Sequence, residues 1–221
     1  MTEDGPVVGV LKFGCKKHIE QFAQGLLYMN TLEHFIKIET SSPRKDSHEG
    51  TSHICRGDGS MLQIKVGGKY SPIVAVRGPV RHTPDDSLKV NVFCMYALHE
   101  SPSGIFVDPD NLGFGDTFAV LTDFDEFMKR VEAAVVGTGQ ALRCGLVGYV
   151  DETSYRGPMG IFRKGSSFSY QNEFRIALLP GTGEALPLDV GNLSDIVWIG
   201  VSRDLQYIKL QRYRGTGGSV A

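Results

Sequence analysis

The chain has 221 residues, 41% of them hydrophobic and 22% charged, a balance that excludes a disordered chain and fits an ordinary globular domain. Its 23 basic and 25 acidic side chains leave a net charge of -2, which argues against broad affinity for nucleic acid or membrane surfaces. Glycine occurs 27 times, favouring tight turns between short strands over a helical bundle.

No apolar run reaches the roughly 18 residues of a membrane helix. Glu3 and Asp4 stand where a signal peptide would be basic, so a cytoplasmic protein is expected. Its organisation reads as one domain over 1–214, with a long polar loop at 40–60 and a flexible tail at 215–221. Cys15, Cys55, Cys94 and Cys144 are far apart with no CxxC pair, so buried free thiols are expected. His48, His53 and Cys55 lack the repeated spacing of a soft-metal site, and no metal is expected.

In chain order, residues 7–13 read as a buried strand, and Ile19, Phe22, Ala23 and Leu26 as the apolar face of a helix that Gly25 stops. A strand follows at 27–29. Asn30 is expected to cap a second helix with Glu33 as its box partner and Leu32, Phe35 and Ile36 as its stripe. Within the loop, Arg44, Lys45, Asp46, His48 and Glu49 are candidate cleft residues, a solvated loop being the alternative. Strands are predicted at 61–66, 73–76, 90–98 and 117–121, then a helix capped by Asp123 with the stripe Phe124, Phe127, Met128, Val131 and Val135. Further strands fall at 146–150, 168–179, 196–201 and 207–213. The fold class is therefore α+β: largely antiparallel or mixed β-sheets with two or three helices.

The segment 168–179 is the most informative. Two-residue alternation places Phe168, Tyr170, Phe174, Ile176 and Leu178 on one face, with Asn172 the exception, and Ser169, Gln171, Glu173, Arg175 and Ala177 on the other. A hydroxyl, an amide, a carboxylate and a guanidinium in one row can line a cleft; a solvated strand face is the alternative. No P-loop, GxGxxG, HExxH or GxSxG motif is present, and His18 and His34 fall on helices where surface roles are expected.

Lys164, Phe168, Tyr170, Gln171, Asn172, Glu173, Phe174, Arg175 and Ile176 resemble the late signature of a family of uncharacterised bacterial and phage proteins, Tyr, Glu or Gln, any residue, Glu, an aromatic, then Arg. Gly25, Leu27, Tyr28, Asn30, Phe35, Asp46, Glu49 and Gly50 fit that family's opening, whereas the middle segment around Phe114, Gly115 and Asp116 lacks its aromatic-His pattern. The layout is more loosely similar to the ADP-ribosyltransferase superfamily, in the branch marked by Gln-x-Glu, here Gln171, Asn172 and Glu173. That resemblance implies a split sheet, NAD as cofactor and a transferase or NAD-cleaving activity. Glu173 would stabilise the oxocarbenium-like ribose and Gln171 would orient the accepting nucleophile. Lys12 would stand where the superfamily carries a cofactor-gripping Arg or His. Tyr28 and Asn30 would meet the nicotinamide, Ser169 would share the cofactor face, and Arg175 would hold either a pyrophosphate or Glu173 itself. The acceptor, protein or nucleic acid among others, is left open. The alternative is a non-catalytic phage or mobile-element protein that recognises a host protein or a nucleotide through the same cleft.

Overall fold

The computed structural model describes residues 5–37, 53–56, 61–75, 79–82, 85–101, 104–105, 107–151 and 153–207. The chain runs β1 (Val7–Gly14), α1 (Lys16–Ala23), β2 (Leu26–Thr31), α2 (Leu32–Lys37), β3 (His53–Arg56), β4 (Met61–Val66), β5 (Lys69–Ala75), β6 (Pro79–His82) and α3 (Asp85–Leu88). It continues through β7 (Asn91–Ser101), β8 (Gly104–Ile105), β9 (Thr117–Leu121), α4 (Phe124–Val135), β10 (Ala141–Leu146), β11 (Gly148–Val150), β12 (Gly157–Pro158), β13 (Arg163–Gly165), β14 (Glu173–Leu179), β15 (Leu186–Asp189) and β16 (Val197–Val201). Short 3-10 segments fill Pro109–Phe114, Ser166–Gln171 and Ser202–Tyr207. The fold is α+β.

The principal sheet has nine strands, six of them in the order β10-β14-β7-β1-β9-β16, with β2, β15 and β8 joined at its sides. Among the described residues every strand pairing within it is antiparallel. One face meets α1 and α4: Ile19 and Phe22 from α1 and Phe127, Val131 and Val135 from α4 pack on Phe93, Met95, Phe174 and Ile176. Strand alternation sends Leu11, Phe13, Tyr96, Leu98 and Phe118 to the other face, where Leu205 joins them. The helix over Phe124–Val135 begins where its sequence signal stands, because the Asp123 carboxylate accepts from Glu126 N at 2.9 Å. Phe127 is sealed at 0% exposure, and Phe127→Ala is expected to lower the unfolding free energy by about 3–5 kcal/mol in a denaturant titration.

Gly25 follows α1 with φ +99, and a Cβ there would strike the Gly191 carbonyl oxygen. The two segments meet because Val190 N donates to Gly25 O at 2.9 Å, beside the β2·β15 ladder. Gly25→Ala therefore combines left-handed strain with a backbone clash, and thermal unfolding should show a loss of about 1–3 kcal/mol.

Several expectations change. Asn30 is not a helix cap: it stays in β2, paired with Val92, and Thr31 Oγ1 accepts from His34 N instead. The loop expected at 40–60 contains strand β3, which acquires its structure by pairing with β6 and β12 rather than from local pattern. Arg44, Lys45, Asp46, His48 and Glu49 lie outside the described residues, as does the tail 215–221. Strands β10 and β15 were not anticipated, and Tyr207 ends a 3-10 segment instead of opening a strand. Cys15 and Cys144 are exposed rather than buried, while Cys94 is half-buried, all three as free thiols.

Candidate active site

The site lies where two strands part. β1 and β7 pair from Val7 to Leu11 against His99 to Tyr96. On its other edge β1 pairs with β9 from Val10 to Gly14, and beyond its contact with β1 the strand β7 is joined by β2 at Val92 and Asn91. The gap opens beside Phe93, Cys94 and Met95, and Lys12 reaches across it, donating from Nζ to Cys94 O at 2.6 Å with the ammonium 4.3 Å from the Phe93 ring centre. A cavity of about 850 Å³ occupies this parting, large enough for a dinucleotide. Its described lining carries Lys12, Lys17, Lys164 and Arg175 against one carboxylate, Glu173.

Glu173 opens β14, whose two edges pair with β10 and β7, and Glu173 to Leu178 are all buried. Its carboxylate accepts from Lys164 Nζ at Oε1, 2.7 Å, and from Arg175 Nε at Oε2, 2.6 Å. Lys164 also donates to Gln171 Oε1 at 2.8 Å, and Arg175 Nη1 donates to Ile161 O at 2.6 Å. Gln171 Nε2 in turn donates to the Tyr170 hydroxyl at 3.2 Å. Lys164 reaches the cluster from β13, which lies parallel to β11 with Lys164 opposite Tyr149. The Tyr149 hydroxyl accepts from Glu173 N at 2.9 Å, so this small parallel pair supports Glu173 through backbone and side chain together.

Burial alone would push the Glu173 carboxyl up, but Arg175 and Lys164 outweigh it and hold the group well below the usual carboxylate range. Burial, reinforced by Glu173, raises the Cys94 thiol to about 12 and lifts the Tyr149 hydroxyl above its usual value. Both therefore remain protonated at neutral pH. For Glu173 the sign is that of a depressed acid: its contribution is full above the ordinary glutamate value and is lost as pH falls through the lowered folded value. Thermal unfolding midpoints should fall as pH drops from about 5 to 3, and Glu173→Gln should flatten that slope.

The strand expected over 168–179 begins only at Glu173. Ser166–Gln171 is a 3-10 segment, and Asn172 takes the left-handed conformation with φ 39 and ψ 54, which asparagine tolerates better than most residues. The single row of Ser169, Gln171, Glu173 and Arg175 therefore does not form. Ser169 is exposed on the 3-10 segment and is not among the lining residues, whereas Gln171 and Glu173 are brought together through Lys164. Lys12, Tyr28, Asn30, Gln171, Glu173 and Arg175 all line the one cavity. Tyr28 is 56% exposed and stands at the cavity's rim. Lys164, Tyr149 and Asn111 were not assigned to the site from sequence. Lys164 had a signal, since it opens the late signature, but nothing local marks the other two.

Among the described residues no group of His, Cys, Asp or Glu is arranged to hold a metal ion, and no helix is long and apolar enough to cross a membrane. Comparison with family models, with curated proteins and with solved structures finds no match.

Proposed function

We propose that the cavity binds NAD and that the protein breaks the nicotinamide–ribose bond, as an ADP-ribosyltransferase or an NAD-cleaving enzyme. The observation that carries this reading is the meeting of Lys12, Asn30, Tyr28, Gln171, Glu173 and Arg175, from three separate segments, around one cavity at the parting of β1 and β7. A parting of this kind supports the reading, since the superfamily resemblance implies a split sheet. Its cationic lining suits the pyrophosphate of a dinucleotide.

In the reaction the bond between ribose C1′ and the pyridinium nitrogen breaks, and its electron pair leaves with nicotinamide. Positive charge develops on the ribose, and the Glu173 carboxylate, kept ionised by Arg175 and Lys164, would stabilise it. A nucleophile then adds at C1′ and gives up its proton. Gln171, its amide oriented by Lys164 and Tyr170, would position that nucleophile. Free thiols at Cys15, Cys94 and Cys144 fit a protein working in the reducing cytoplasm.

One observation favours a second reading. Both oxygens of Glu173 already meet cations at 2.6 and 2.7 Å, an arrangement that also serves a binding module of phage or mobile-element type, in which Glu173 only holds Lys164 and Arg175 in place. Titration with NAD followed by chromatographic assay for free nicotinamide separates the two. Binding with release supports the enzyme; binding without release supports the module; and no binding at millimolar NAD overturns the NAD reading.

A further inference from the structure

Asn111 lies in the 3-10 segment Pro109–Phe114, is 1% exposed, and lines the cavity. Its Nδ2 donates to Asp108 O at 3.1 Å and to Tyr170 O at 2.8 Å. A primary amide has two such protons. Both are committed to backbone carbonyls, so the amide cannot turn over, and its carbonyl oxygen Oδ1 is left as a fixed acceptor. No described residue donates to Oδ1. Ser202 Oγ is the one sealed side-chain polar atom without a partner among the described residues, so Oδ1 is not sealed, and the cavity is the space Asn111 lines. A nearly buried acceptor in this condition gains from any ligand N–H that reaches it.

Its location matters as much as its chemistry. Tyr170, to which Asn111 is pinned, immediately precedes Gln171. The acceptor is thereby tied to the Gln171–Glu173 end of the cavity, where the glycosidic bond would be broken. We propose that Asn111 is the residue that determines ligand specificity, its Oδ1 accepting a hydrogen bond from the carboxamide N–H of nicotinamide. This rests on the NAD reading and deepens it. The exocyclic amine of adenine offers the same kind of donor, and the test distinguishes the two sources.

The full chain is titrated calorimetrically with NAD, with the dinucleotide carrying nicotinic acid in place of nicotinamide, and with the one carrying hypoxanthine in place of adenine. The nicotinic acid form presents a carboxylate to Oδ1 and is expected to bind about tenfold or more weakly than NAD. The hypoxanthine form keeps the carboxamide and is expected to match NAD. Asn111→Ala, checked for folding by thermal unfolding, should bring the NAD and nicotinic acid affinities together. Asn111→Asp, which keeps an acceptor but loses the Nδ2 anchors, should retain a preference for NAD that Ala abolishes. Equal binding of NAD and its nicotinic acid analogue by the unaltered protein overturns the assignment, and so does a penalty confined to the hypoxanthine form, which would give the donor to adenine. If none of the three binds, the NAD reading falls and the assignment with it; if NAD binds with the expected preference but no nicotinamide is released, the assignment stands and only the cleavage step is lost.

Discussion

Glu173→Gln is expected to lower the free energy of unfolding by about 3–5 kcal/mol and to reduce nicotinamide release by about a hundredfold or more. The shape is kept, but Lys164 and Arg175, both buried, lose the carboxylate that neutralises them. Against a domain stability of about 5–15 kcal/mol this is a large fraction, so the variant must be assayed below its own unfolding midpoint. Glu173→Asp separates the two effects. Its carboxylate keeps the charge but is one methylene short of spanning Lys164 and Arg175, so it should retain more stability than Gln while still losing most of its turnover. Calorimetric unfolding and a nicotinamide assay on the same samples decide the matter. A folded Glu173→Gln protein that releases nicotinamide at the original rate would sink the cleavage mechanism.

Arg175→Met is the second large effect expected, about 3–5 kcal/mol. Arg175 is among the largest fully buried side chains, and its planar fork serves two acceptors in different directions, Glu173 Oε2 and Ile161 O. Methionine fills the volume but leaves Ile161 O without that donor and Glu173 with one cation fewer. Arg175→Lys keeps the charge, yet a single ammonium cannot reproduce the fork, so it should recover only part of the loss. Because Arg175 and Lys164 together depress the Glu173 carboxyl, Arg175→Met should also move the acid unfolding transition to higher pH. The double variant Glu173→Gln with Arg175→Met should be less destabilised than the sum of the two single changes. Additivity within about 0.5 kcal/mol would show that the cluster does not act as a unit.

Local signals located much of the scaffold. β1, β4 and β9 are continuous or alternating apolar runs, and α4 has an Asp123 cap, a five-residue stripe and glycines beyond its end. Such elements are legible because neighbouring residues alone set their period and their ends. The segment before Glu173 misled for the same reason. Phe168 and Tyr170 imitate strand alternation, but the chain instead forms a 3-10 turn that sets Phe168 5.4 Å from the Lys164 ammonium and reverses through Asn172. β3, β10 and β15 carry weak patterns and are strands because partners lie alongside them.

The sequence by itself determined the α+β class, the main helix, and the placing of Glu173 and Arg175 on one side of a strand, since a spacing of two residues fixes a shared face. Only the tertiary structure decided that this side is buried rather than solvated, because Ile161, Phe162 and Lys164 lie against it. The third dimension also brought Lys164 to Glu173 through the parallel pairing of β11 and β13, and opened the cavity where β1 and β7 part beyond Leu11. Asn111 meets Tyr170 across 59 positions of chain. Contacts at such separations follow from strand order and register, which no local period encodes.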